Sequence, residues 1–217
     1  MMRTRVKICG VRRLEDARLA SELGADAIGF VFWPASPRFV DPERARAIVA
    51  ELPPFVSAIG VFVDQTPEYV SGVAGLVKLS AVQLHGQEQP DGYSRSRYRV
   101  IKAVPVTSTF NAVRACNELP ATTMMLLDAH DPIRRGGTGR AIDWTVAAAA
   151  ARLRPIILSG GLNASNVSDA IDRVRPYAID LSSGVEMSPG VKDHDKLRHL
   201  FTVLDDPRLD PDNLATL

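Results

Sequence analysis

The sequence predicts an α/β fold, a single-domain (β/α)8 barrel of the TIM-barrel type with lean loops. Three observations predict it. Short runs rich in apolar and β-branched residues alternate with helical patterns from end to end. Most of the runs are apolar almost throughout, as strands are when both faces of a parallel sheet are covered. Eight such units fit into 217 residues. Eight units close a barrel, and since that fold typically takes ~250 residues the connections must be short.

The elements follow in order. RVKIC (5–9) is the first strand, and the helical pattern 14–23 after it ends at Gly24, well placed for a left-handed cap. AIGFVFW (27–33) is the second; Asp41 as N-cap and Pro42 in the first turn open a helix over 42–51. SAIGVFV (57–63) is the third, and Thr66 and Pro67 repeat that start signal for 67–77. AVQLH (81–85) precedes a weaker helical stretch, 88–98. RVIKAVPV (99–106) leads to 109–118, MMLLD (124–128) to 143–152, PIILSG (155–160) to 164–174, and AIDLSSG (178–184) to 193–204. Strict alternation implies right-handed crossovers and a parallel sheet. An open doubly wound sheet usually carries a Gly-rich turn after its first strand. Here that turn is CGVRRLED, with one glycine. The barrel domain is expected to span 1–204. The polar, Pro/Asp-rich segment 205–217 is expected to be a frayed extension or a surface strap.

Composition narrows the function. The chain has 26 Lys and Arg against 25 Asp and Glu, net charge +1, and no basic block. No field draws it to nucleic acid, so an anionic substrate must be held by local groups. No apolar run reaches the ~18 residues of a membrane helix. Two cysteines, Cys9 and Cys116, give neither a disulfide framework nor metal-ligand spacing. The first residues are charged and lack the apolar core of a signal peptide. The expectation is a reduced, cytoplasmic protein, a monomer or a homodimer, without nucleic-acid or membrane partners.

In such a barrel the active site lies at the C-terminal ends of the strands. Cys9 stands at the first of these, beside Gly10, and shares a strand face with Lys7. Its bland alternative is a packed thiol; Cys116, mid-helix, reads as structural. Asp128 ends an apolar run, where a carboxylate is costly unless paired. Its alternative is a cap or a structural salt bridge. Together Cys9 and Asp128 form an acid/base pair across the mouth, suited to an isomerase that moves a hydrogen without redox. LSGGLNASN and DLSSGVEMSPG follow the last two strands. Backbone N–H groups exposed by small residues, at helix N-termini, favour a phosphate, and barrels often carry one there. Ordinary tight turns are the alternative. RRGGTGRAIDW, after strand six, looks like a flap over the same region. Arg38, in a loop stiffened by Pro34, Pro37 and Phe39, suits a carboxylate clamp, with a merely solvated loop arginine as the alternative. His85 ends strand four, either as a substrate contact or as a satisfied strand-end histidine.

Together, VKICGVRRLEDA, GADAIGFVFWPASPRFV, IGVFVDQTPE, AVQLHGQE, LLDA, GGTGRAIDW, LSGGLNASNV and AIDLSSGVEMSPGVKDHDKL resemble the phosphoribosylanthranilate isomerase family, in the family's order and over residues 5 to about 200. The resemblance implies an Amadori rearrangement in tryptophan biosynthesis, turning the phosphosugar N-(5-phosphoribosyl)anthranilate into 1-(2-carboxyphenylamino)-1-deoxyribulose 5-phosphate. It implies Asp128 as general acid, Cys9 as general base and Arg38 as holder of the anthranilate carboxylate. Gly160, Gly161, Ser182, Ser183 and Gly184 match the phosphate turns, and Asp180 and His85 join the substrate-binding set. No metal or organic cofactor is implied. Where a Lys-Thr-Phe run is common after GGTG, this chain has Arg140, Ala141 and Ile142, so Arg140 is left out of the catalytic set.

The acid role needs a proton on Asp128, which burial would favour. The base role needs help, because a free thiol has a pKa of ~8.5; Lys7 or a helix terminus could give it. Two other readings compete. A Schiff-base aldolase would use Lys102 or Lys7, but both lie mid-strand and read more simply as inward-facing lysines filling the barrel. A non-catalytic phosphosugar-binding protein would need the glycine turns alone.

Overall fold

The structure is a computed structural model and describes residues 3–93, 98–129 and 142–205. Eight parallel strands close into a barrel in chain order: β1 (Arg5–Cys9), β2 (Ala27–Val31), β3 (Ser57–Phe62), β4 (Ala81–Leu84), β5 (Arg99–Val106), β6 (Met124–Ala129), β7 (Ile156–Leu158) and β8 (Ala178–Leu181). The seam is β8 against β1, where Lys7 pairs with Asp180. Seven α-helices are seen among the described residues: α1 (Leu14–Glu22), α2 (Pro42–Val49), α3 (Pro67–Val77), α4 (Ala112–Glu118), α5 (Trp144–Leu153), α6 (Val167–Val174) and α7 (His194–Leu204). None is long and apolar enough to cross a membrane.

The expected start signals are made by the expected atoms. Asp41 accepts hydrogen bonds from the N–H groups of Glu43 (2.9 Å) and Arg44 (3.4 Å), and Thr66 accepts one from Tyr69 (3.3 Å). Gly24 takes φ +105°, open to a residue without Cβ.

Several element bounds differ from the sequence reading, and four of the differences shape the loops. In the fourth crossover the described residues hold a 3-10 turn, Pro90–Tyr93, where the weak pattern 88–98 suggested a helix. Pro90 and Gly92 within that turn are poor material for an α-helix. Strand seven stops at Leu158, because Gly160 and Gly161 swing to positive φ. Strand eight stops at Leu181 and runs into a 3-10 turn, Ser183–Val185. The stretch EMSPGVK, unassigned in the sequence reading, is a hairpin of β9 (Glu186–Ser188) and β10 (Val191–Lys192). The expected tail 205–217, apart from Asp205, and the GGTG flap lie outside the described residues.

Alternation along the strands sorts the core into layers. Outward-facing Val6, Ile8, Ile28, Phe30, Leu127, Leu158 and Ile179 pack under the helices. Inward-facing Ile59, Ile101, Leu126 and Ile157 plug the barrel's floor. Cys9, Val31 and Val61 form an apolar ring at its mouth. Between floor and mouth the inward positions are polar: Lys7, Gln83 and Asp180, all buried. Lys102 corrects an expectation. It lies outside the barrel, donating to the Gly86 carbonyl (2.6 Å) and to Glu88 (3.3 Å) under the loop after β4.

Candidate active site

The C-terminal ends of the strands surround a cavity of about 460 Å³. Its walls include Cys9 from β1, Arg38 from the loop after β2, His85 from the end of β4, Asp128 from β6, and Asp180 and Ser182 from β8 and its exit. These are six of the residues singled out from the sequence. Gly160, Gly161, Ser183 and Gly184 are not in this wall; they form the turns next to Ser159 and Ser182, which are.

A chain of hydrogen bonds crosses the barrel beneath the cavity. Lys7 donates to Asp180 Oδ2 (3.0 Å) and to Gln83 Oε1 (2.9 Å). Gln83 Nε2 sits 2.9 Å from His85 Nδ1, and His85 Nε2 sits 3.1 Å from Asp128 Oδ2. An ammonium only donates, so Lys7 fixes which end of the Gln83 amide is oxygen. The Gln83 NH2 must then donate to His85 Nδ1, which leaves the imidazole proton on Nε2, aimed at Asp128. The other Asp128 oxygen accepts from the Ala129 N–H (2.9 Å). Both His85 nitrogens are thereby committed to protein groups. The ring is hydrogen-bonded as a satisfied strand-end histidine would be, and it also forms part of the cavity wall.

Cys9 is 8% exposed and shares its inner face with Lys7. Burial pushes its thiol above the ordinary value. The charge of Lys7 pulls the other way, Asp180 adds to the rise, and Lys192 and a hydrogen bond to Lys7 offset part of it. The expected help from Lys7 is present, but burial outweighs it. The inward position opposite Cys9 on β2 is Gly29, where a Cβ would lie 2.8 Å from the thiol sulfur.

Arg38 does not lie free in the cavity. Its Nε and Nη2 grip Glu186 at 3.0 and 2.7 Å. After β7, Gly160 (φ +89°) and Gly161 (φ +65°) hold left-handed conformations, and among the described residues their N–H groups meet no protein acceptor. A Cβ on Gly184 would collide with the Leu162 carbonyl, so the two turns abut. The buried Asp180 Oδ1 and Ser182 Oγ have no hydrogen-bond partner among the described residues. Orphaned polar atoms in a cavity wall are positions a ligand can satisfy.

Sequence reasoning missed three residues around this site: Gln83, Glu186 and Lys192. Gln83 is an inward polar residue in an otherwise apolar strand, a signal present in AVQLH. The Pro-Gly of EMSPGVK marks a turn, which would have placed Glu186 and Lys192 across a hairpin from each other.

The family model described as N-(5'phosphoribosyl)anthranilate (PRA) isomerase matches residues 6–203. The chain is 50% identical over 199 residues to the N-(5'-phosphoribosyl)anthranilate isomerase of Thermotoga maritima, covering 89% of this chain and 95% of that protein. Among solved structures, one of a phosphoribosyl anthranilate isomerase in complex with reduced 1-(o-carboxyphenylamino)-1-deoxyribulose 5-phosphate superposes with a TM-score of 0.82 at 46% identity, covering 93% of this chain and 98% of that one. Another, of monomers generated from the dimeric Thermotoga maritima enzyme, gives 0.82 at 44% identity with the same coverage.

Proposed function

Because the chain belongs to the N-(5'-phosphoribosyl)anthranilate isomerase family, we propose that Cys9 and Asp128 perform that family's isomerisation as general base and general acid. The isomerase role in tryptophan biosynthesis comes with the family. The substrate is N-(5-phosphoribosyl)anthranilate, the phosphosugar amine that the relatives' name carries. Asp128 gives its proton to the furanose ring oxygen as the C1′–O bond breaks, and the nitrogen lone pair closes a C1′=N bond. The Cys9 thiolate then takes the C2′ hydrogen. That electron pair forms C1′=C2′, and the iminium pair returns to nitrogen. The enolamine loses its enol proton, gains one at C1′ and becomes the ketone. C1′ is reduced as C2′ is oxidised, so the balance closes inside the sugar.

The pair works with one proton. Asp128, accepting from His85 and the Ala129 N–H, rests as a carboxylate, and Cys9 holds the proton. The reactive form has that proton on Asp128 and a thiolate on Cys9. Arg38 takes the anthranilate carboxylate; Gly160, Gly161, Ser182, Ser183 and Gly184 take the phosphate, with the orphaned Ser182 hydroxyl among its contacts; and the orphaned oxygen of Asp180 meets a sugar hydroxyl.

The observation that carries the reading is that Cys9 and Asp128, from strands one and six, line one cavity. The test is Cys9→Ala and Asp128→Asn, followed by the fluorescence decay of the aminobenzoate. Each variant should lose about 10²- to 10⁴-fold in kcat. Turnover at the parent rate in both would end the acid/base reading.

Cys9 and Cys116 are both free thiols, which supports a reducing compartment, the cytoplasm. Phe55, 97% exposed in the connection between α2 and β3, offers an apolar side chain that a second copy would cover, and the Thermotoga maritima relative is dimeric. We therefore favour a homodimer, which Phe55→Glu should split on sedimentation.

A further inference from the structure

Glu186 and Lys192 face each other across the β9–β10 hairpin that follows β8. The Glu186 side chain is 4% exposed and that of Lys192 is fully buried. Buried charges are costly unless every donor and acceptor is used, and here they are. Lys192 Nζ spends its three hydrogens on Glu186 Oε1 (2.9 Å), the Ser182 carbonyl (3.2 Å) and the Cys9 carbonyl (2.5 Å). Glu186 takes Lys192, the Gly190 N–H (3.2 Å) and the side-on fork of Arg38, where Nε reaches Oε1 at 3.0 Å and Nη2 reaches Oε2 at 2.7 Å. The hairpin thus ties the ends of β1 and β8 to Arg38, the one arginine among the described residues of the cavity wall.

A guanidinium has two edges that can grip a carboxylate: the side edge of Nε and Nη2, and the end edge of Nη1 and Nη2. Glu186 occupies the side edge. Among the described residues Nη1 donates to no protein group. A flexible arginine would otherwise have to be ordered by each incoming substrate, at a cost in binding.

We propose that Glu186, fixed in turn by Lys192, is a positioning residue: it holds Arg38 by its side edge so that the end edge is already set for the substrate's ring carboxylate. This rests on the reading of Arg38 as the carboxylate clamp. Specificity for a carboxylated aryl amine then comes from a pair of residues, only one of which touches the substrate.

The experiment compares two substrates, phosphoribosylanthranilate and phosphoribosylaniline, which lacks the ring carboxylate. It uses the parent, Glu186→Gln, Arg38→Met and the double variant. Glu186→Gln should raise KM for the carboxylated substrate about tenfold, leave its kcat within about threefold, and change kcat/KM for the aniline by less than about twofold. On the Arg38→Met background Glu186→Gln should add almost nothing. Glu186→Asp, which keeps the charge but withdraws it by one methylene, should show the same selective KM rise. If Arg38→Met keeps the preference for the carboxylated substrate, the clamp reading fails and this inference goes with it. If Arg38→Met abolishes the preference but Glu186→Gln and Glu186→Asp preserve it, this inference alone is overturned. Equal losses on both substrates would likewise overturn it, since they describe a residue that merely holds the hairpin.

Discussion

Gln83 Nε2 lies 2.9 Å from His85 Nδ1, and the Lys7 ammonium on Gln83 Oε1 makes that nitrogen the donor. The amide therefore decides which imidazole nitrogen carries the proton. Gln83→Glu replaces the NH2 with a second acceptor. His85 must then protonate at Nδ1, and its neutral form turns a bare lone pair toward Asp128. We expect kcat to fall about ten- to a hundredfold, the loss of one oriented charge-assisted hydrogen bond, with KM little changed. Imidazole nitrogen NMR should find the Nε2–H tautomer in the parent and Nδ1–H in the variant. An Nδ1–H tautomer in the parent would refute the assignment.

The pH dependence follows from one proton shared by two groups. The state with the proton on Cys9 and the reactive state with it on Asp128 carry the same total number of protons, so pH does not change their ratio. The kcat/KM profile should be flat through neutrality. It should fall on the alkaline side only when Cys9 gives up its proton and the pair has none left for Asp128. Burial raises the Cys9 thiol, so that limb belongs above the ~8.5 of a free thiol. Thiolate absorbance, taken as parent minus Cys9→Ser, should titrate over the same range. Half-ionisation of Cys9 below pH 8 would contradict it.

Gly29 tests how tightly the thiol is held. A methyl there would stand 2.8 Å from the Cys9 sulfur and 3.1 Å from both the Cys9 Cα and Lys7 Cε. Gly29→Ala should cost about 1–3 kcal/mol of stability through overpacking. It should also lower kcat on the order of a hundredfold, as a displacement of about 1 Å does at a reacting centre. Denaturation and steady-state kinetics on one preparation check both, and an unchanged kcat would show that the sulfur has slack.

Asp16 tests the other side of the hairpin. It is fully buried and accepts from Arg13 at 2.9 and 2.6 Å and from the Lys192 N–H at 3.2 Å, with His194 Nε2 at 2.9 Å. Burial alone would raise its pKa, but the hydrogen bonds from Arg13 and His194 carry it below the usual carboxylate range. A depressed carboxylate stabilises the fold above its unfolded pKa of ~3.9, and that contribution disappears as pH falls through the folded value. Asp16→Asn should therefore cost on the order of 3 kcal/mol at pH 7, and the gap to the parent should close in acid. Urea unfolding at a series of pH values measures it; a gap independent of pH would contradict the linkage.

The barrel was legible because its strands are buried on both faces, so RVKIC, SAIGVF and MMLLD stand out as apolar runs between capped helices. The place of Cys9, His85 and Asp128 in the cavity wall was legible because they interrupt those runs at the C-terminal ends of the strands. Gln83 stood out as polar in its strand, but its partner did not, because nothing in a strand says that an inward glutamine will meet a lysine 76 residues away. Lys102 was misassigned inward because the phase of β5 cannot be read from a run apolar on both faces. Glu186 and Lys192 were hidden in a glycine-rich stretch that reads as a phosphate turn, and only the hairpin brings their charges together.

A barrel interior is ordinarily a place to gain stability from hydrocarbon. Here its middle tier carries a lysine, an amide and a carboxylate instead. Refilling that tier with leucine and valine should give a hardier protein and a dead one, because the Lys7–Gln83 wiring to His85 would be lost. Engineering for heat resistance should therefore work on the helix-facing shell and leave the lumen as it is.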